Sequence, residues 1–180
     1  PGSEINAIVS HEDWLPTLVA AAGEPQIKEK LLAGYTAGPK TFKVHLDGYD
    51  QGPFLAGKAA DPRREFFYWT DDGNLAALRY DRWKLLFLEQ RAVGLAVWQE
   101  PLVVLRFPKL FDLRADPFEV ANTDAGGYDH WRLERAYLLV PAQAFVGGHL
   151  KTYVAFPPRQ KPGSFSLDQV LEKLQEGGRK

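Results

Sequence analysis

The sequence predicts an α+β fold, in which helices pack on one face of a small antiparallel sheet of about four strands. The middle third contains short aromatic-rich and β-branched runs separated by tight-turn signals, a pattern typical of a strand meander. The last third carries apolar residues at helical spacing over most of its length. Hydrophobic residues make up 45% of the 180 residues, which is enough to form a core.

The first sixty residues are predicted to form two short helices and a turn-rich connection. Apolar residues recur at helical spacing over residues 14–22, and Gly23 supplies a C-cap, so a short amphipathic helix is expected there. A weaker helix is expected over residues 26–32. Residues 39–62 are rich in Gly-Pro, Asp-Gly and Asp-Pro turns, with a short strand predicted at residues 43–46.

The strands of the sheet come next along the chain. The turn Asp71-Asp72-Gly73-Asn74 separates the first two, and Asp81-Arg82 separates the second from the third. Residues 90–107 are apolar but match no regular pattern, and the open alternatives are that they add edge strands or that they cover the sheet. The predicted strands are residues 65–70, 75–80, 83–88 and 109–113.

The last third is predicted to be helical. A helix is expected over residues 128–140, and Pro141 must kink it or begin a new one. The apolar pattern continues over residues 142–156 and stops at Pro157-Pro158. A terminal helix is predicted over residues 167–174, with Ser166 as its cap.

Composition excludes several classes of function. The 22 basic and 23 acidic residues are interleaved, so the chain lacks the positive field that nucleic-acid binding requires. The absence of cysteine excludes disulfides, thiol nucleophiles and zinc ribbons. No apolar run approaches the roughly 20 residues that span a bilayer. We therefore expect neither a nucleic acid nor a membrane as partner.

A catalytic set is not recognisable in the sequence. None of the four histidines (His11, His45, His130, His149) has a second His or Cys at metal-ligand spacing. No serine lies in a G-x-S-x-G turn, and there is no glycine-rich phosphate loop. The sequence therefore predicts no catalytic residue and no metal ligand in this chain.

Two features point to contacts outside the chain. Residues 66–69 are all aromatic, so strand alternation places two on each face of the sheet, and the pair away from the helices needs cover. The residues 71–74 favour a hairpin turn over a calcium loop, because they lack the ligand spacing of an EF-hand. Carboxylates at a loop tip remain candidates for substrate contact.

Several segments, taken in order, resemble a known family. The helix motif D-x-x-P-T-L, the turn motif D-L-x-x-D-P-x-E-x-x-N and the segments between them resemble the C-terminal part of bacterial arylsulfatases, in the alkaline phosphatase-like superfamily. The matching segments are residues 13–18, Leu46-Asp47-Gly48, 54–57, 69–79, Trp83-Lys84-Leu85, 110–119 with Asn122-Thr123, and 157–165.

The resemblance implies a parent enzyme that hydrolyses sulfate esters with a formylglycine nucleophile and a divalent cation, calcium in this family. The family's C/S-x-P-x-R motif, its calcium ligands and its sulfate-binding residues lie upstream in such enzymes. None has a counterpart here, so the chain is expected to be inactive alone. At most it lines the rim of the substrate cleft, with scaffold as the competing role; the candidates are His11, Asp71, Asp72, Asn74 and Arg79.

The expected organisation follows from this resemblance. Residues 1–60 would be the tail of the catalytic domain and its connecting segment, and residues 61–180 a C-terminal α+β subdomain. The start Pro1-Gly2-Ser3-Glu4 has the composition of a turn inside a longer protein. The expected partner is the missing catalytic domain, and self-association through an apolar face is expected without it. The alternatives are an independent binding module with an exposed aromatic sheet face, and a related phosphonate monoester hydrolase or choline-type sulfatase.

Overall fold

The computed structural model describes residue 2 and residues 4–177, and its fold is α+β, as predicted. Residues 1 and 3 of the expected initial turn lie outside that range. The helices are α1 (Trp14–Ala21), α2 (Ile27–Ala33), α3 (Gly52–Leu55), α4 (Ala121–Asp124), α5 (Tyr128–Glu134), α6 (Leu139–Ala155) and α7 (Leu167–Gly177). The strands are β1 (Tyr35–Ala37), β2 (Lys40–Phe42), β3 (Glu65–Trp69), β4 (Leu75–Tyr80), β5 (Trp83–Glu89) and β6 (Val103–Asp112). Short 3₁₀ turns occupy His11–Asp13, Gly94–Trp98 and Ala136–Leu138.

The main sheet is a meander of four antiparallel strands in the order β3-β4-β5-β6. Its last strand is longer than the prediction for residues 109–113, because it begins at Val103. The register between β5 and β6 shifts between Leu86 and Leu88, opposite the part of β6 that contains Pro108. A proline is tolerated in an edge strand at such an irregularity, since it has no N–H to donate.

The core lies between this sheet and α6. Side chains of three adjacent strands, Leu78, Leu85 and Leu110, are buried against Ala142 of α6. The predicted helix over residues 128–140 is interrupted: α5 ends at Glu134, a 3₁₀ turn follows, and α6 begins at Leu139. Pro141 therefore occupies the first turn of α6, where a missing N–H costs little.

The other face of the sheet is covered by residues of the same chain. Phe66 and Tyr68 of β3 contact each other edge to face, with ring centroids 4.7 Å apart. The Lys84 ammonium lies 4.7 Å from the Tyr68 ring centroid and donates to both carboxylate oxygens of Glu119, at 2.6 and 2.9 Å. Both rings of the pair that was expected to need cover are thus half-buried, and the ion pair lies over Tyr68.

A two-stranded hairpin, β1-β2, was not predicted. Its strands pair Tyr35 with Phe42 and Ala37 with Lys40, around a turn at Gly38 with φ of 59°. Three-residue strands are too short to produce an alternation pattern. Residues 43–46, where a strand was predicted, belong to no β-strand.

Helix α1 forms where it was predicted, but its apolar side faces outward. Trp14, Leu15 and Leu18 are 48%, 53% and 63% exposed. The buried residues of this helix are Pro16 and Thr17. The helix therefore packs on the rest of the chain through its small and polar side.

The contact that holds α1 to the sheet is a buried ion pair between Asp13 and Arg63. The guanidinium donates from Nε to Asp13 Oδ2 at 2.8 Å and from Nη2 to Oδ1 at 2.5 Å. The same carboxylate accepts the backbone N–H groups of Ser10 at 2.9 Å and Tyr49 at 2.8 Å, and Gln51 Nε2 at 3.2 Å. Asp13 is fully buried and Arg63 is 3% exposed, so each charge depends on the other.

Arg63 also ties this pair to β3 and to the connecting segment. Its Nη1 donates to the carbonyl oxygen of Glu65 at 3.0 Å, and its Nη2 to that of Asp47 at 3.3 Å. The chain passes so close to the 3₁₀ turn at Gly48 that a Cβ there would lie 1.9 Å from the carbonyl oxygen of Glu12. A residue larger than glycine would therefore push the turn away from the connecting segment.

Replacing Arg63 by methionine should destabilise the protein strongly, because the Asp13 carboxylate would remain buried without its counter-charge. Breaking a buried pair in this way costs about 3–5 kcal/mol of unfolding free energy. Urea denaturation measures it, with Arg114→Met as the control at an exposed arginine. The double variant Asp13→Asn/Arg63→Met should lose less than Arg63→Met alone; an equal or larger loss would contradict the ion-pair explanation.

Stability should also fall in acid through Asp13. Burial opposes ionisation of this group, but hydrogen bonds from Arg63, Ser10 and Tyr49 and the charge of Arg63 outweigh it and lower the pKa of Asp13. A carboxyl with a lowered pKa stabilises the fold above its unfolded value of about 3.9, and this contribution is lost as the pH falls further. Unfolding free energies at about pH 6 and about pH 3 should therefore differ more in the wild type than in Asp13→Asn. Equal differences would rule out Asp13 as the source.

Candidate functional site

The largest concentration of ionisable and aromatic side chains lines a cleft of about 530 Å³. Its walls are the connecting segment around Asp47, strand β3 with Glu65 and Trp69, and helix α6 with His149 and Tyr153. A second hollow of about 410 Å³ shares Asp47 and Tyr153 with it, so the two adjoin. The Asp13–Arg63 pair holds the connecting segment against β3 and thereby shapes this cleft.

Two histidines face the carboxylate of Asp47 in the cleft. His45 Nδ1 lies 3.2 Å from Asp47 Oδ1, within hydrogen-bond distance. His149 Nδ1 lies 3.9 Å from the same oxygen, which is too far for a hydrogen bond. The two imidazoles come from chain positions more than a hundred residues apart, and the fold brings both to one carboxylate.

His149 is packed among aromatic rings. Its imidazole stacks on Phe67 with ring centroids 3.9 Å apart and an interplanar angle of 6°. Trp69 and Tyr153 lie at centroid distances of 5.8 and 5.3 Å. The Nε2 atom is buried and has no hydrogen-bond partner among the described residues. Burial lowers the pKa of His149, and the nearby charge of Asp47 opposes this only in part.

A series of polar contacts joins α2, the connecting segment and β3 along the cleft. Lys28 Nζ donates to the carbonyl oxygen of Gly48 at 2.6 Å and lies 4.7 Å from the centroid of the Tyr49 ring. Burial lowers the pKa of Lys28. The Tyr49 hydroxyl donates to Glu65 Oε1 at 2.6 Å, and burial together with this contact raises the pKa of Tyr49.

Glu12 also lines the cleft and contacts Arg63. Its Oε1 lies 2.8 Å from Arg63 Nη2, and its side chain is 39% exposed. Burial raises the pKa of Glu12, although the charge of Arg63 opposes the shift. Glu12 and Asp13 therefore share one guanidinium, with Asp13 on the buried side and Glu12 on the cleft side.

The cleft does not have the ligands of a calcium site. Calcium takes six to eight oxygen ligands, whereas Asp47 is flanked here by two imidazoles. Among the described residues, no group of three His, Asp or Glu side chains is arranged to hold a metal ion.

Over the same residues, no helix is long and apolar enough to cross a membrane.

The predicted rim residues do not line this cleft. His11 opens the 3₁₀ turn at the protein surface, and its carbonyl oxygen accepts the N–H of Trp14. Asn74 closes the β3–β4 turn, where its N–H donates to Thr70 Oγ1 at 3.1 Å. Arg79 lies on the sheet face away from the helices, and its Nε donates to the carbonyl oxygen of Asp81 at 3.1 Å.

Asp71 and Asp72 bind the C-terminal segment of the chain. The Ser164 N–H donates to Asp72 Oδ1 at 2.7 Å and the Ser164 hydroxyl to Oδ2 at 2.6 Å. These hydrogen bonds lower the pKa of Asp72. The Gly163 N–H donates to the carbonyl oxygen of Asp71 at 3.2 Å. The hairpin tip thus anchors residues 163–164, and the fold does not bring the five candidates together.

No family model matches the chain. Among solved structures, the PsFucS1 sulfatase from Pseudoalteromonas sp. is similar to it, with a TM-score of 0.44 and 21% sequence identity. The similar region covers 63% of this chain and 22% of the sulfatase chain, so this chain spans about a fifth of the length of that structure. The activity of a whole enzyme is accordingly a matter of proposal for this chain.

Replacing His149 by phenylalanine should change how stability depends on pH. The pKa of His149 is lowered in the folded state, whereas in the unfolded chain it has its ordinary value of about 6.5. Just below about pH 6.5 the unfolded chain therefore binds more protons than the folded protein, and the wild type loses stability as the pH falls through that range. His149→Phe removes this loss and keeps the stacking on Phe67. Urea unfolding on either side of about pH 6.5 measures it. His130→Phe, at an exposed histidine, is the control, and an unchanged pH dependence in His149→Phe would contradict the expectation.

Proposed function

We propose that this chain is the C-terminal part of a sulfatase-type hydrolase, an arylsulfatase by its motifs. In this role it contributes no catalytic residue, supports the catalytic domain and borders the substrate cleft. The proposal rests on the collinear motifs of the sequence and on the outward apolar side of α1. The domain division at about residue 60 belongs to the same proposal.

The outward side of α1 is the observation that carries the proposal. Trp14, Leu15 and Leu18 form an exposed apolar row, while Asp13 and Thr17 fix the opposite side of the helix to the connecting segment. Apolar surface left in water costs about 25 cal/mol per Å², and contiguous exposed patches mark surfaces that bind another protein surface. A catalytic domain packed on this row would bury it.

Residues of the resembling segments make structural contacts within the chain. Thr17 Oγ1 of the D-x-x-P-T-L helix accepts the N–H of Gln51 at 2.9 Å and donates to the carbonyl oxygen of Tyr49 at 3.3 Å. Lys84 of the Trp-Lys-Leu strand binds Glu119 of the D-P-x-E turn. The motifs therefore have structural roles in this chain, which agrees with a supporting part of a larger enzyme.

The catalytic groups of the proposed parent would lie outside these residues. Formylglycine and calcium would supply the nucleophile and the charge that polarises the sulfate. The contribution of this chain would be to hold α1 rigidly through Asp13 and Arg63, so that a domain seated on its outer side is fixed relative to the sheet. The same contribution would serve a related phosphonate monoester hydrolase or choline-type sulfatase.

An independent binding module using the aromatic sheet face is the alternative. The half-buried Phe66 and Tyr68, covered by the Lys84–Glu119 pair, leave little aromatic surface on that face for a ligand. This observation favours the supporting role over the alternative.

The purified chain should not hydrolyse an aryl sulfate. Among the described residues, no group of three His, Asp or Glu side chains could hold a metal ion. 4-Nitrocatechol sulfate with calcium should therefore release product no faster than it does in buffer. Turnover above buffer would contradict the proposal.

The reading frame upstream of this segment should encode a C/S-x-P-x-R motif, and a frame without one would favour the independent module.

Self-association should depend on the apolar row of α1. Sedimentation velocity over a range of concentrations should show association of the wild-type chain, since the row is exposed without its domain. Leu15→Glu/Leu18→Glu should abolish it, because two charges in the row make burial costly. The exposed Leu133 on α5 gives a control, Leu133→Glu, that should associate as the wild type does. Association unchanged in the α1 variant would contradict this use of the row.

A further inference from the structure

The carboxylates of the cleft outnumber its free cations. Glu12, Asp47 and Glu65 line it, together with the basic residues Lys28 and Arg63. The guanidinium of Arg63 already binds the buried carboxylate of Asp13 through two nitrogens. The same guanidinium also contacts Glu12 on the cleft side, so its single positive charge faces two carboxylates. The carboxylates Glu12, Asp13, Asp47 and Glu65 therefore outnumber the cations Lys28 and Arg63 in this region.

Lys28 is also engaged within the protein. Its ammonium donates to the carbonyl oxygen of Gly48 and faces the Tyr49 ring, with the distances given above. An anion entering the cleft would meet three carboxylates, against the ammonium of Lys28 and a guanidinium that already binds two carboxylates. Like charges brought together in a partly buried site repel, so we expect the cleft to disfavour anions.

Aromatic rings form the other side of the cleft. Trp69 is 36% exposed, and its ring centroid lies 5.2 Å from that of Tyr153. Phe67 and Phe145 also line the cleft. Aromatic faces attract a cation through their quadrupole by about 0.5–2 kcal/mol and also pack against an apolar body.

We propose that this cleft binds a small organic cation, an ammonium group on an apolar body. The ammonium would face Asp47, Glu12 and Glu65, and the body would lie against Trp69 and Tyr153. A cavity of about 530 Å³ is within the range of small-molecule sites. A neutral polyol would gain hydrogen bonds here but none of the charge attraction, so the cation binds more tightly. The inference does not depend on the proposed sulfatase parent.

Benzylammonium tests this site, with benzyl alcohol as a neutral molecule of similar shape and benzoate as the anion. Isothermal titration calorimetry of the full chain at low salt should give saturable binding of benzylammonium, weaker binding of benzyl alcohol and none of benzoate. Asp47→Asn should weaken benzylammonium about tenfold, since it removes one charge close to the ammonium. Trp69→Leu should weaken both benzylammonium and benzyl alcohol. Added salt should weaken benzylammonium more than benzyl alcohol.

The control is Asp129→Asn, which removes a carboxylate that is 79% exposed on α5 and does not line the cleft. It should bind benzylammonium as the wild type does. Thermal unfolding of each variant checks the fold, and Glu65→Gln replaces Asp47→Asn if the latter does not fold. Equal binding of benzyl alcohol and benzylammonium, absence of saturable binding, or equal losses in Asp129→Asn and Asp47→Asn would each overturn the proposal. Aryl sulfate turnover or a missing upstream motif would overturn the proposed parent and leave this result unaffected.

Discussion

The pairing of Asp13 with Arg63 is the constraint on which the rest of this structure depends. Neither charge is solvated, so the carboxylate and the guanidinium are tolerable inside the protein only when they meet in one geometry. That geometry fixes helix α1, the connecting segment and the start of β3 relative to one another. Any arrangement that separates the two groups leaves a buried charge without its partner, so the arrangement that opens the cleft beside α6 is strongly favoured.

The parts of the fold that sequence reasoning predicted are those that local chemistry dictates. The aromatic run of β3 and the Asp-Gly turn after it specify the first hairpin without help from distant residues. For the first half of β6 the sequence leaves an edge strand and a cover for the sheet as alternatives, because residues 90–107 follow no regular pattern. The irregular register opposite Leu86 is a tertiary feature. The hairpin β1-β2 was missed because three residues do not define a period.

The cleft was not predictable in the same way. Its ionisable residues come from separated stretches of chain, and each looks ordinary in its local context: Glu12 in a turn, Lys28 on a short helix, His149 in a weakly patterned one. Asp71 and Asp72 were selected because they lie at a loop tip. Their positions in the sequence do not reveal that Ser164 of the C-terminal segment donates two hydrogen bonds to the Asp72 carboxylate. Sequence separation of more than ninety residues hides such a contact from any local rule.

Helix α1 has a consequence for the design of variants. The side of α1 that packs on the protein consists of Pro16, Thr17 and the preceding Asp13, and its leucines face outward. A redesign that assigns polar residues to the surface and apolar residues to the core would therefore exchange the two sides. The resulting helix would be ideal by pattern and unable to seat, because no leucine can replace the carboxylate that Arg63 requires. The apolar positions of this helix should therefore tolerate substitution better than its polar ones. Asp13 should tolerate as little change as a core leucine does in other helices.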